Sequence, residues 1–223
     1  MEMWNHKMVF STITWATYGG IGAGILSIIG IVMARNARSG VSLAAVGVLI
    51  SAAIVIVPYS YSKLLDRKLH PKIHDITTNT IDPPKFVAVI ALRKEAKNKN
   101  PNSVKNKFKY AGEKVAKIQK QFHPNLKTLI TKQPAQKVFK TTLDLVKKQG
   151  WAVAAVIPAE GRIEATASTF WLGFKDDVVF RIKQVGAKTH LDMRSASRFG
   201  KGDRGENARR VKAFLTKLKD QLG

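Results

Sequence analysis

The chain has 223 residues, 45% of them hydrophobic, enough for one or two domains with packed cores. Its 38 Lys and Arg against 15 Asp and Glu give a formal net charge of +23, which predicts anionic neighbours such as nucleic acid or acidic headgroups. The absence of cysteine excludes a disulfide framework, a thiolate nucleophile and cysteine metal sites.

Two stretches near the N-terminus, Met8 to Ala34 and Ser39 to Ser62, carry no charged residue. Each exceeds the roughly 20 residues that a helix needs to cross a bilayer. The expectation is a transmembrane helical hairpin over residues 1–62, with helices near 10–33 and 41–60. Trp15, Tyr18, Tyr59 and Tyr61 sit where interfacial aromatics belong. Gly20 and Gly24 allow close approach of a second helix. The first run starts late, lacks a small-residue exit and is followed by another, which argues against a cleaved leader. Arg35 and Arg38 at the hairpin tip place the rest of the chain on the periplasmic side of a bacterial inner membrane, whereas Lys63, Arg67, Lys68 and Lys72 pull the other way.

Residues 63–84, ending in "LHPKIHDITTNTIDPP" with its Pro, Thr and Asp, read as an extended connector. Residues 85–223 read as the folded domain. It opens on "LRKEAKNKNPNSVKNKFK", a solvated basic segment. Val104, Phe108, Ala111, Val115, Ile118 and Phe122 then recur at helical spacing behind Ser103. A second helix is expected from Pro134, presenting Val138, Thr142 and Val146, with Gly150 ending it. "WAVAAVIP", "GRIEATASTFWLGF", "DVVFRIKQ" and "AKTHLDMRSASR" follow as strands separated by short turns. A last helix opens at Asp203 with Glu206 at capping-box spacing, and carries Val211, Phe214, Leu215, Leu218 and Leu222 on one stripe. The fold class is α+β, an antiparallel β-meander with helices packed on one face.

Strand alternation puts Ile163, Ala165, Val178, Phe180, Ile182, Leu191 and Met193 inward. It leaves Glu164, Asp177, Arg181, Arg194 and Arg198 outward as a mixed-charge ladder. Cross-strand ion pairing explains such a ladder; surplus arginines awaiting an anion would also explain it. Asp176 and Asp177, being adjacent, point to opposite faces in regular strand and so do not form one acidic pair. His190 stands alone and no zinc spacing occurs, so neither metal nor cofactor is expected. "SRFGKGDRGEN" could cradle an anion at a helix start, although Asp203 and Glu206 already occupy that end. The candidate ligand-binding residues are Glu164, Asp177, Arg181, Arg194, Arg198, Asp203 and Asn207.

"HDITTNTIDPPKF", "GRIEATASTFWLGFKDDVVFRI" and "DMRSASRFGKGDRGENARRVKAFL" together resemble a bacterial and plastid domain of unknown function, family 1499, over about residues 74–219. "QKQFHPNLKTL" resembles that family's Q-x-x-x-Y-P-D segment, with Asn125 at the acidic position. The resemblance implies an exported or membrane-tethered protein with no established reaction. It also implies that Glu164, Asp176, Asp177, Arg181, Arg194, Ser195, Arg198, Gly200, Asp203 and Asn207 lie in the family signature.

Residues 92–149 hold 16 Lys and Arg against 3 acids, whereas residues 161–210 hold 11 against 6. The charge excess is thus diffuse lysine, suited to anionic lipid, with no base-stacking element beside it to favour nucleic acid. The expected function is a membrane-anchored accessory protein whose basic domain engages a membrane-protein partner, anionic lipid or a small anionic ligand. The rival readings are a structural subunit of a larger membrane complex, and a hydrolase or isomerase using Glu164, Asp177 and Arg194 on the sheet face.

Overall fold

The computed structural model describes residues 6–33, 45–53, 56, 60, 71–99, 110, 112–169, 173–199 and 202–223. The chain divides into two compact units, Met1–Leu69 and His70–Gly223.

In the first unit, helix α1 spans His6–Met33, and residues 45–53 are also helical. Small residues let the two approach: a Cβ added at Gly47 would stand 2.5 Å from Ser27 Oγ, and one at Gly24 would stand 3.4 Å from Ser51 Cβ. Close packing at Gly24 was expected. The transmembrane hairpin is not shown: among the described residues no helix is long and apolar enough to cross a membrane. Arg35, Arg38, Tyr59, Tyr61, Lys63, Arg67 and Lys68 lie outside the described residues, and with them the charge signals for orientation.

The second unit is built on an antiparallel sheet of six described strands: β1 (Asp75–Thr77), β2 (Leu129–Thr131), β3 (Ala152–Ile157), β4 (Arg162–Ser168), β5 (Lys175–Val185) and β6 (Lys188–Ser197). Strands β3 to β6 form the expected meander. The order is β1-β6-β5-β4-β3, with β2 also pairing β6. Gly161 makes the β3–β4 turn possible: its φ is +60°, and a Cβ there would lie 2.0 Å from the Ile182 carbonyl oxygen.

Helices α4 (Ala135–Lys148) and α5 (Glu206–Leu222) cover one face. Val138, Leu145, Val146, Val211, Phe214 and Leu218 meet Ile163, Val178, Phe180, Leu191 and Met193 there in one buried cluster, as the strand alternation predicts. Gly150, at φ +70°, ends α4 with its N–H on the Lys147 carbonyl, the expected left-handed cap.

The other face departs from the expectation of helices on one side only. The start of the basic segment is helical: residues 92–99 continue helix α2 (Val89–Lys99), in which Arg93 is buried while Leu92, Lys94 and Glu95 stay exposed. With Phe86, α2 lies over the second face, where Phe86, Val89, Val179 and Ala196 are buried together. Its apolar residues are too few for a clear helical period, so composition alone reads it as solvent-facing. Helix α3 (Glu113–Phe122) starts behind Gly112, whose φ of +77° is not helical, and Tyr110 is not helical either, so the helix does not run back to a cap at Ser103 as expected; Ser103, Val104, Phe108 and Ala111 lie outside the described residues.

Candidate functional site

Because α2 roofs it, the charged face is a buried network and not a solvated ladder. Glu164 is fully buried on β4, and its carboxylate accepts from the backbone N–H groups of Val87, Ala88 and Val89 at 3.0–3.2 Å. It therefore occupies the N-terminus of α2, where free donors and the helix dipole favour an anion. Arg162 adds an ion pair.

Asp177, on the adjacent strand, is equally enclosed. Arg93 of α2 approaches it at 2.6 Å, Arg198 donates from both Nε and a terminal nitrogen, and Thr166 Oγ1 donates at 2.8 Å. Arg93 reaches on to the Ala196 carbonyl at 2.6 Å. Burial draws its guanidinium below the usual range against the attraction of Asp177.

Arg194, the largest fully buried side chain, forms a two-pronged pair with Asp75 at 2.9 and 2.7 Å and donates to the Pro84 carbonyl. The Phe86 ring lies against both Arg194 and Arg93, with guanidinium carbons 4.6 and 4.8 Å from its centroid, a cation–π arrangement that needs little water. Arg181 is nearer the surface, bridging Asp82 and Asp192 at 2.8 and 2.7 Å. Every carboxylate and guanidinium of this group thus meets opposite charge or a hydrogen-bonding partner, the condition under which buried charges persist.

The remaining two candidates lie elsewhere. Asp203 accepts from the N–H groups of Gly205 and Asn207 at 2.9 and 2.8 Å, so it occupies the anion position in the "GDRGEN" turn. The helix begins at Glu206 rather than at Asp203. Glu206 pairs with Arg209, and no capping box forms. Asn207 is fully buried: its amide donates to the His74 carbonyl and Ser197 Oγ, and its oxygen accepts from Ser195 and Arg210. Arg210 continues to Asp176 at 2.7 Å, where burial raises the carboxyl above its usual range despite the arginine. Asp176 and Asp177 face opposite sides, as alternation requires. Gly200 lies outside the described residues. Among the described residues no cluster of three His, Asp or Glu could hold a metal.

Gln119 opens the "QKQFHPNLKTL" segment, at the glutamine of the Q-x-x-x-Y-P-D pattern, but the sequence assigned it no role. Buried on α3, it mimics a strand residue, accepting from Thr77 N–H at 3.0 Å and donating to the Thr77 carbonyl at 2.6 Å.

A groove of about 520 Å³ was also missed. It lies where the end of β4 and the start of β5 meet α5 and the residues after α4, lined by Gln149, Trp151, Ser168, Thr169, Phe174, Glu206, Arg209, Arg210, Ala213, Phe214 and Lys217. Trp151 stacks on Phe214 with centroids 5.3 Å apart, giving it an aromatic floor. The Arg209 side chain is 72% exposed, and the exposed Lys217 has no paired acid among the described residues. Arg209, Ala213 and Lys217 recur every four residues on one helix face. Two cations flanking a small residue was the available signal, though it reads equally as a solvated stripe.

The fold and site define a small α+β domain with an internally neutralised charge network and a separate half-open groove with cationic edges. The chain belongs to the family described as a protein of unknown function (DUF1499), whose model matches residues 75–218, in line with the resemblance in its sequence blocks. No curated protein matches the chain.

Proposed function

We propose that this chain is a membrane-associated accessory protein whose second unit binds an amphipathic anion in the Trp151–Arg209–Lys217 groove. The groove itself carries the reading. Aromatic rings can cover an apolar body, while Lys217, together with Arg209 shared with its Glu206 partner, can meet an acidic head, and the volume falls in the range of roughly 300–1,000 Å³ usual for small-molecule sites. The sheet-face candidates support it by contrast: Glu164, Asp177 and Arg194 are enclosed and already engaged, which favours a role in holding the fold over acid–base chemistry or ligand capture.

Membrane association rests on the first unit. Trp15, Leu26, Ile25, Ile28, Val32 and Leu49 expose about half or more of their surface, an apolar area that calls for lipid or protein cover. The diffuse lysine adds attraction to anionic headgroups. Together with the exported character implied by the family resemblance, this favours the periplasmic face of a bacterial inner membrane. A structural subunit of a membrane complex is the second reading, favoured by the small residues that face each other at Gly24 and Gly47 and leave the larger apolar side chains outward.

The test is purification of the full chain in mild detergent with mass spectrometry of what accompanies it. An anionic lipid or soluble organic acid retained by the wild type and lost from Arg209→Ala/Lys217→Ala supports the groove, and its identity separates the two sources. A stoichiometric protein with no anion supports the subunit reading, whereas equal retention by the double variant would remove the groove from the account.

A further inference from the structure

The two edges of the sheet are treated differently. On one side β1 and β2 are three residues each. All of β1 is buried, and the Gln119 amide pairs with Thr77 as a neighbouring strand would. On the other side β3 (Ala152–Ile157) is the terminal strand, and no described residue bonds to its outer backbone edge. Its sequence AVAAVI has no charge and no proline. Ala152, Val153 and Ala154 are exposed, and the one irregularity is a register shift between Val153 and Ala155. Open edges are commonly guarded by lysine, proline or a covering element; here one edge is closed by a buried glutamine and the other is left apolar.

We infer that β3 is a docking edge for an extended segment of an acidic partner protein, which adds to the sheet as a further strand. The outer-edge N–H and C=O groups of β3, unpaired among the described residues, supply the main-chain ladder of such an addition. Charge selects the occupant. The chain carries +23, and the exposed Lys147 and Lys148 of α4 stand just before the strand, so an acidic segment is attracted while a second copy brings like charge. This inference does not depend on the groove.

The experiment uses the full chain and three labelled ten-residue peptides: alternating Glu and Val, alternating Lys and Val, and the Glu–Val peptide N-methylated at every residue, so that neither edge can donate. Binding is read by fluorescence anisotropy and by hydrogen exchange over residues 152–157. The Glu–Val peptide is expected to bind and to protect β3, with affinity at least about tenfold above that of the N-methylated peptide, which keeps the charge but cannot complete the ladder. Ala154→Pro is expected to weaken binding with the melting transition retained. Equal binding of the methylated peptide would overturn strand addition in favour of plain charge attraction. Protection of β3 by concentration-dependent self-association would overturn the acidic partner in favour of a second copy.

Discussion

Asp75 and Arg194 meet across the β1–β6 junction through two parallel hydrogen bonds of 2.9 and 2.7 Å, with both side chains buried. This pair ties β1 to the most deeply buried guanidinium among the described residues. Removing one charge strands the other in a medium that solvates it poorly. Asp75→Asn is therefore expected to cost about 3–5 kcal/mol. Asp82→Asn, which breaks the more exposed pair with Arg181, should cost about 1 kcal/mol or less. Chemical denaturation of both variants checks the contrast, and equal losses would contradict the assignment of Arg194 as a buried structural charge.

Glu164 binds the start of α2 from below, so its loss should be felt in that helix first. Glu164→Gln keeps the shape but removes the charge from the helix N-terminus, at a cost of about 1–2 kcal/mol. Hydrogen exchange should show faster exchange across residues 89–99 while the β5–β6 ladder stays protected. Unchanged protection of α2 would remove Glu164 from the capping role.

Tyr110 gives a pH signature. Its buried hydroxyl has no hydrogen-bond partner among the described residues, and burial, with the Asp75 charge adding, pushes its ionisation up to about 12. The raised value means that the folded state holds the proton longer than the unfolded chain. The stability this contributes is fully present below about pH 10, the free tyrosine value, and is lost as pH rises toward 12. Tyr110→Phe should flatten that part of the stability profile, and should not destabilise at neutral pH, since an unmatched buried hydroxyl is costly. A parallel loss of stability in both proteins between pH 10 and 12 would refute this.

The meander, the two amphipathic helices α4 and α5, and the inward residues of the sheet were legible because periods of 2 and 3.6 are imprinted by burial on one face. The second face was misread for the same reason. Its strand residues are charged, and nothing in Glu164 or Arg194 tells a buried, neutralised ion from a solvated one; that distinction comes from α2, some 70–100 residues away in sequence. The connector likewise hid β1, whose Asp75 makes sense only beside Arg194. The groove was invisible because Trp151, Phe174 and Lys217 come from three separate elements. Its only local trace, Arg209-Ala213-Lys217, is shared by any solvated helix face.

The central claim, that ligand binding belongs to the groove and not to the sheet-face charges, is tested most directly by titrating the full chain with anilinonaphthalene sulfonate, an aromatic anion. Wild type, Ala213→Trp, which fills the groove from an exposed position, and Arg181→Ala, on the sheet face, are compared, with oleate as competitor. The account predicts a saturable, oleate-displaced site present in the wild type and in Arg181→Ala but lost in Ala213→Trp. Retention of the site in Ala213→Trp together with its loss in Arg181→Ala would contradict it.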